Sequence, residues 1–354
     1  MLAPRRIGKT VILNKMHETS SQNNFRSILL DVEDCRAEKD FFRACCSAIQ
    51  EEQSMGSKVM SNFSHKLRAF LGGGAPKDGD WRQLLTQVNE KDFADQLFKH
   101  LGDQDENDPW LFLVDELPIF IKNLYEAEGA QAISQFLYWL RGIRLKYPRI
   151  QWLYAGSIGL DSIAREHSVE GALNDLKPYT LKPFDRDTAA DFITDVAKRR
   201  NCTISGQSIT LILDRLGWLS PFYLENIVDE AYVLMTDSNE IDEESTLEAI
   251  ESLLGTDKRL YWSSWREHLD KVFKEPKLNR LYTILKTVAK SHPSGAERDS
   301  LLLAINHASE PVEETDLKNL LDILMHDGYL RQDENNRYHF RMDLLREWWL
   351  RYVV

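Results

Sequence analysis

Three short clusters in this sequence have the residue types that phosphate chemistry needs. The first is Gly8-Lys9-Thr10. A phosphate-binding loop turns backbone N–H groups inward at oxyanions. It adds a lysine for the β- and γ-phosphates and a hydroxyl for Mg²⁺. The helix that follows points its positive end at the same oxygens. The usual spacing is GxxxxGK[ST], and Ala3 stands at the first glycine, so the strict pattern fails by one residue. Alanine is tolerable there if that position does not need a positive φ.

The second cluster is Leu111-Phe-Leu-Val-Asp115-Glu116, an apolar run that ends in two acids. A strand buried on both faces ends at the carboxyl edge of its sheet, where open α/β folds bind ligands. An aspartate there can enter the Mg²⁺ shell, and a neighbouring glutamate can orient the attacking water. A strand that simply ends in polar residues reads the same way in isolation; the pairing with Gly8-Lys9-Thr10 favours chemistry. The third cluster is Tyr154-Ala155-Gly156-Ser157. Its serine could reach a γ-phosphate, or the cluster could be a small-residue turn.

Elements must position these groups. Val11 to His17 continues as a helix, and Ser27 to Val32 reads as a short buried strand. Apolar residues at three-and-four spacing predict a helix from about Asp40 to Phe70. Gly72 to Gly79 is a flexible loop, and a further helix runs from about Phe93 to Leu101. Trp110 to Val114 has the length and apolarity of a central parallel strand. A long helix is expected over roughly Ile119 to Tyr147, then a buried strand from Ile150. Strands alternating with helices imply a parallel α/β sheet.

After about Leu181 the strand signal fades. Asp185–Arg200, Gly206–Leu216 and Pro221–Thr236 read as helices, followed by an acidic segment, Asp237–Glu251, expected as a wet surface. Near the C-terminus, helices over Leu278–Lys290, Arg298–Asn306 and Glu314–Asp327 precede two strand-like pieces, Gly328–Arg331 and Arg337–Arg341, and a final helix with Trp348 and Trp349. Three helices and then a hairpin is the order of a winged helix.

Composition narrows the function. The chain has 354 residues, so two or three domains are expected. Its net charge of −12 argues against a general polyanion binder. No run approaches a membrane span, and no apolar signal-peptide core opens the chain. The four cysteines form no CxxC pair and the nine histidines show no ligand spacing, so neither disulfide nor zinc chemistry is indicated. Cys45-Cys46 reads as a buried pair on a helix. A reducing, cytoplasmic compartment is the default expectation.

Ala3-Pro-Arg-Arg-Ile-Gly-Lys-Thr10 resembles the GPRRxGKT loop of the archaeal-type P-loop ATPases, which are close to the AAA+ and STAND groups. Asp115-Glu116-Leu-Pro118 is similar to their second acidic motif, and Gly156-Ser157 to their sensor strand. Leu181-Lys-Pro-Phe-Asp185 resembles the link into their helical lid, and Gly217-Trp-Leu-Ser-Pro221-Phe-Tyr-Leu224 the lid's glycine–proline motif near the nucleotide. Phe340 to Trp349 resembles the end of the winged helix that often follows. The resemblance implies an AAA+-like P-loop sheet over 1–180, a helical lid over 181–262 and a winged-helix domain over 270–354. It implies ATP and Mg²⁺ as ligands. Ala3, Pro4, Arg5, Arg6, Ile7, Gly8, Lys9, Thr10 and Pro221 would bind nucleotide; Thr10 and Asp115 would hold the metal; Lys9, Glu116 and Ser157 would act in catalysis. The strand that normally feeds such a loop is represented only by Met1 and Leu2, so a missing N-terminal segment is expected.

Arg141, Arg144, Arg149 and Arg165 are candidates for an arginine finger, with surface solvation the alternative for each. Trp262, Trp265, Trp348 and Trp349 read as core or interface anchors. DNA binding by the winged helix is disfavoured by charge. From Pro276 onward there are 11 Lys/Arg against 12 Asp/Glu, and the recognition helix would carry Glu313, Glu314, Asp316, Asp322 and Asp327 against Lys318. Arg331, Arg337 and Arg341 on the wing are the better-placed cations. The sequence thus reads as a Mg-dependent ATPase acting as a nucleotide-driven switch, with a possible protein partner at the lid or winged helix. A nucleotide-degenerate interaction or DNA-binding module is the second reading. No NKxD sequence is present, which favours ATP over GTP.

Overall fold

The computed structural model describes residues 1, 4, 6–51, 89–103, 109–156, 159–235 and 239–354. The chain divides into two compact units. One is Met1–Leu2 with Lys9–Thr180; the other is Ala3–Gly8 with Leu181–Val354.

The first unit is built on strands β1 (Arg26–Asp31), β2 (Trp110–Asp115) and β3 (Ile150–Tyr154). They lie in that order and are all parallel, with Asp31 opposite Asp115 and Val114 opposite Tyr154. Side chains alternate across a strand, so β2 divides its duties. Trp110, Phe112 and Val114 face an aromatic layer, where Phe112 packs 4.5 Å from Trp152 and 5.5 Å from Phe98. Leu111, Leu113 and Asp115 face the other way. There Leu13 of helix α1 (Lys9–Thr19) packs with Leu113 and Ala155.

The aromatic side is covered by α2 (Glu38–Glu51), α3 (Glu90–Gly102), α4 (Leu117–Glu128) and α5 (Ala130–Lys146). Phe41, Phe120 and Phe136 meet edge to face or stacked at 5.1–5.8 Å. The short helix α6 (Leu160–Glu166) follows β3. Two expectations change here. The single helix over Ile119–Tyr147 is two helices, broken at Gly129, whose φ of +85° only glycine adopts cheaply. The helix expected from Asp40 to Phe70 is described as far as Glu51; its remainder and the Gly72–Gly79 loop lie outside the described residues.

In the second unit, α7 (Arg186–Arg199) and α8 (Gly206–Leu216) begin at Asp185 and Ser205, whose side chains accept from the backbone N–H groups of Thr188 and Ser208. Helix α9 (Pro221–Leu234) packs with α7 and with α10 (Glu243–Leu253). Strands β4 (Thr203–Ile204) and β5 (Glu240–Ile241) form a small parallel pair that periodicity did not predict. The acidic stretch expected as plain wet surface is folded from Glu243 on. Asp242 closes a capping box with Ser245, and Thr246, Ala249, Ile250 and Leu253 are buried while Glu243, Glu244 and Glu248 face solvent.

Helix α11 (Leu260–Val272) carries the centre of this core. Trp262 stacks on Tyr223 at 4.6 Å, Trp265 Nε1 donates to the Tyr223 hydroxyl at 2.6 Å, and the Tyr329 hydroxyl donates to the Trp265 carbonyl at 2.6 Å. The chain continues with α12 (Lys277–Lys290), α13 (Arg298–Ala308), α14 (Glu314–His326), the antiparallel strands β6 (Leu330–Gln332) and β7 (Tyr338–Phe340), and α15 (Asp343–Tyr352). Trp262, Trp265, Trp348 and Trp349 are all buried in one apolar cluster with residues of α7, α8, α9 and α10. Among the described residues no helix is long and apolar enough to cross a membrane.

Candidate functional site

Thr10 of the first cluster meets Asp115 of the second within the first unit. Helix α1 starts at Lys9, so Gly8 is the last residue before its first turn. Gly8 has φ +96° with open space where a Cβ would stand. Its glycine is required by backbone conformation, not by crowding. Leu13 anchors α1 to β2, and Thr10 lies three residues earlier on the same helical face. Asp115 lies two residues beyond Leu113 on the same face of the strand. These two periodicities bring the Thr10 hydroxyl to Asp115 Oδ2, to which it donates at 2.8 Å.

Asp115 is 6% exposed. Its other oxygen, Oδ1, accepts from the backbone N–H of Glu116 at 3.0 Å. Both donors are neutral, so neither hydrogen bond cancels the carboxylate charge. Lys9 is also buried, at the end of the sheet where the Met1 amino group donates to the Tyr154 carbonyl.

Glu116 is half-buried and occupies the left-handed region, φ 55° and ψ 31°. It serves as the N-cap of α4, and its carbonyl accepts from the N–H groups of Ile119 and Phe120. A glutamate with positive φ is costly, and the strain turns its side chain off the line of the strand. It lands beside Gly156. A Cβ built on Gly156 would be 3.5 Å from Glu116 Oε2 and only 2.4 Å from Pro118 Cδ. Gly156 therefore lets the first turn of α4 close against the end of β3.

The loop residues up to and including Gly8 belong to the second unit. Ile7 is 4% exposed and is part of that unit's apolar core. Pro4 is buried against Gly328, whose own Cβ, if present, would lie 2.5 Å from Pro4 Cβ and 3.5 Å from Trp218. The Arg6 carbonyl accepts from the Ser220 hydroxyl, and its guanidinium lies 4.3 Å over the Phe222 ring. Pro221, the first residue of α9, sits between these two contacts. The glycine–proline motif over Gly217–Leu224 thus meets the loop through Ser220 and Phe222. Ser220 and Phe222 flank Pro221 directly; nothing local signals Gly328.

Ala3, Arg5 and Ser157 lie outside the described residues. Of the arginine candidates, Arg144 departs from surface solvation. Its side chain is 7% exposed and grips Asp175 at 2.7 and 2.9 Å and the Ala172 carbonyl at 2.7 Å. The hydrogen bond from Arg144 holds the Asp175 carboxyl below the usual carboxylate range. Arg141 reaches the same acid at 3.6 Å. Both are committed to structure, and Arg165 is exposed.

On the hairpin, Arg337 pairs with Glu297, and Arg341 donates to the carbonyls of Met325 and Leu330. Burial lowers the pKa of Arg341, and Arg331 adds to the effect. Two of these three arginines of the hairpin region are thus held by this chain's own acceptors. Cys45 and Cys46 are buried on α2, and burial pushes both thiols up.

No protein-family model matches the chain, and no curated protein does. Solved structures do. The Walker-type ATPase PABY2304 of Pyrococcus abyssi superposes with a TM-score of 0.64, covering 98% of this chain and 89% of its own, at 16% identity. The ORC2 protein of Aeropyrum pernix, solved as ADPNP–ADP complexes, gives a TM-score of 0.57 over 98% and 85%, at 14% identity. At such identities the likeness speaks for the fold: this chain has the mixed α/β, parallel-sheet fold of the P-loop ATPases.

Proposed function

We propose that this chain binds ATP with Mg²⁺, hydrolyses it, and uses the nucleotide as a conformational switch. The observation that carries the reading is the Thr10–Asp115 hydrogen bond at 2.8 Å. It joins the hydroxyl at the start of α1 to the buried acid at the end of the central strand. These are the two groups a phosphate-bound divalent cation requires together. The donor set fits such a cation: a hydroxyl, a carboxylate and room in its charge balance for a positive ion. The metal, when bound, would offset phosphate charge.

Every other step falls to the chain. Backbone N–H groups at Gly8 and the first turn of α1, with Lys9, bind the β- and γ-phosphates. Thr10 and Asp115 hold the metal shell. Glu116 orients water for in-line attack, and Ser157 contacts the γ-phosphate. The lid near Pro221 would report the presence of the γ-phosphate to the winged helix. In this reading 181–262 acts as a helical lid and 270–354 as a winged-helix domain. The ADPNP and ADP in the Aeropyrum pernix ORC2 structure support nucleotide as the ligand.

Glu116→Gln tests the assignment. It should retain Mg-ATP binding and lower hydrolysis by roughly two orders of magnitude or more, the usual scale for a lost general base. Unchanged hydrolysis would remove Glu116 from this role. The second reading, an interaction or DNA-binding module with a degenerate nucleotide site, draws on Ala3. The commitment of Arg337 and Arg341 to internal partners counts against its DNA-binding form. The same assay separates the readings, since a degenerate site hydrolyses nothing in either form.

A further inference from the structure

A cleft of about 760 Å³ opens in the second unit, between α11, α12, α13 and α15. Its lining is cationic in a chain of net charge −12. Lys286 and Lys290 stand one helical turn apart on α12, Arg266 faces them from α11 and His307 from α13. No Asp or Glu side chain is among the lining residues. Among the described residues, no acid pairs with Lys286 or Lys290. Lys290 closes the last turn of α12, where a cation meets the negative end of the helix; Lys286, four residues earlier, is a like charge on the same face. Arg266 is partly shared with Asp270, at 3.6 Å, which also accepts from the Tyr282 hydroxyl.

The rest of the lining is equally selective. Thr283 and Thr287 of α12 and its C-cap Ser291 alternate with the two lysines along the lining. Each hydroxyl donates to the carbonyl four residues earlier, at 2.8–2.9 Å. Their protons are committed, so toward the cleft they offer lone pairs, which accept from a ligand's O–H or N–H groups. Cations for oxyanions beside acceptors for hydroxyls match a phosphorylated sugar or nucleotide. The volume lies in the range of small-molecule sites.

We propose that this cleft binds a small phosphorylated metabolite, with its phosphates on Lys286, Lys290 and Arg266 and its hydroxyls on Thr283 and Thr287. A long polyanion fits less well. The segment from Pro276 onward carries 12 acids against 11 bases, so it has no net positive charge to draw a long polyanion.

The test is calorimetric titration of the full chain with inorganic pyrophosphate. It is made in the Lys9→Ala background, so that the loop at Gly8 does not contribute. Lys286→Ala/Lys290→Ala is then added; both side chains are exposed on α12, and circular dichroism checks the fold. The proposal expects saturable one-to-one binding that weakens at least about tenfold on losing the two lysines. A sugar bisphosphate should bind more tightly than pyrophosphate, and Thr287→Val should remove that advantage alone. Binding that ignores the lysines, or no saturable binding, overturns the proposal. So does a short DNA duplex that binds more tightly than pyrophosphate and depends on the same lysines.

Discussion

Replacing Glu116 by alanine and by glycine should separate its backbone role from its chemical one. Both variants delete the carboxylate and every contact the side chain makes, so those losses cancel in the comparison. What remains is the backbone at φ 55°, ψ 31°. Alanine in this left-handed conformation costs roughly 1–2 kcal/mol, which glycine avoids. Glycine gives back about 0.4–1 kcal/mol through its larger unfolded-state freedom. Glu116→Gly should therefore be more stable than Glu116→Ala by about 0.8 kcal/mol, the centre of a span reaching about 1.6 kcal/mol. For a unit of this size the central value is about 1–4 °C in midpoint. The position is also the N-cap of α4, where glycine is again preferred to alanine. Thermal unfolding followed by tryptophan fluorescence reads the difference. Both variants should lose ATP hydrolysis alike, by about 10²–10³-fold. If the alanine variant is as stable as the glycine variant, Glu116 is not left-handed and the account of how it reaches Gly156 fails. If the two differ in hydrolysis, the carboxylate is not the group that matters.

Gly156→Ala puts a methyl group 2.4 Å from Pro118 Cδ; it should cost about 1–3 kcal/mol by overpacking and reduce turnover more than Mg-ATP affinity, as steady-state kinetics with binding titration would show. Gly8→Ala forces a side chain onto φ +96°; Mg-ATP affinity should fall, and a normal affinity in calorimetry would place the phosphates elsewhere. Arg144→Ala removes the partner that holds the Asp175 carboxyl low. A depressed carboxylate stabilises the fold above its unfolded pKa of about 3.9 and loses that contribution as pH falls through its folded value. The stability gap between the natural protein and Arg144→Ala should thus be constant near neutrality and narrow in acid below about pH 4; a gap that does not change with pH would mean that the arginine acts only by packing.

The candidate site was legible where its signals are local. Gly8-Lys9-Thr10 before a helix and Asp115 after five apolar residues are patterns that secondary structure alone explains. Their meeting also follows from periodicity, since Thr10 shares a helical face with Leu13 and Asp115 a strand face with Leu113. The left-handed turn at Glu116 was not legible, because a glutamate gives no sign of positive φ. The break at Gly129 was obscured by apolar periodicity that runs on through both helices. The grip of Arg144 on Asp175 and the seat of Pro4 on Gly328 are long-range contacts between residues that look like surface or turn. The small β4–β5 pair is too short for period-two alternation to register.

The central claim is that Gly8, Lys9 and Thr10 form a working nucleotide loop. Its most direct test is the unfolding midpoint of the chain with and without Mg-ATP, beside Lys9→Ala. A ligand at about a hundred times its dissociation constant stabilises the folded state by about 2.7 kcal/mol, which is about 5–10 °C for a unit of this size. That rise is expected for the natural chain and none for Lys9→Ala. An equal rise in both, or none in either, would contradict the claim.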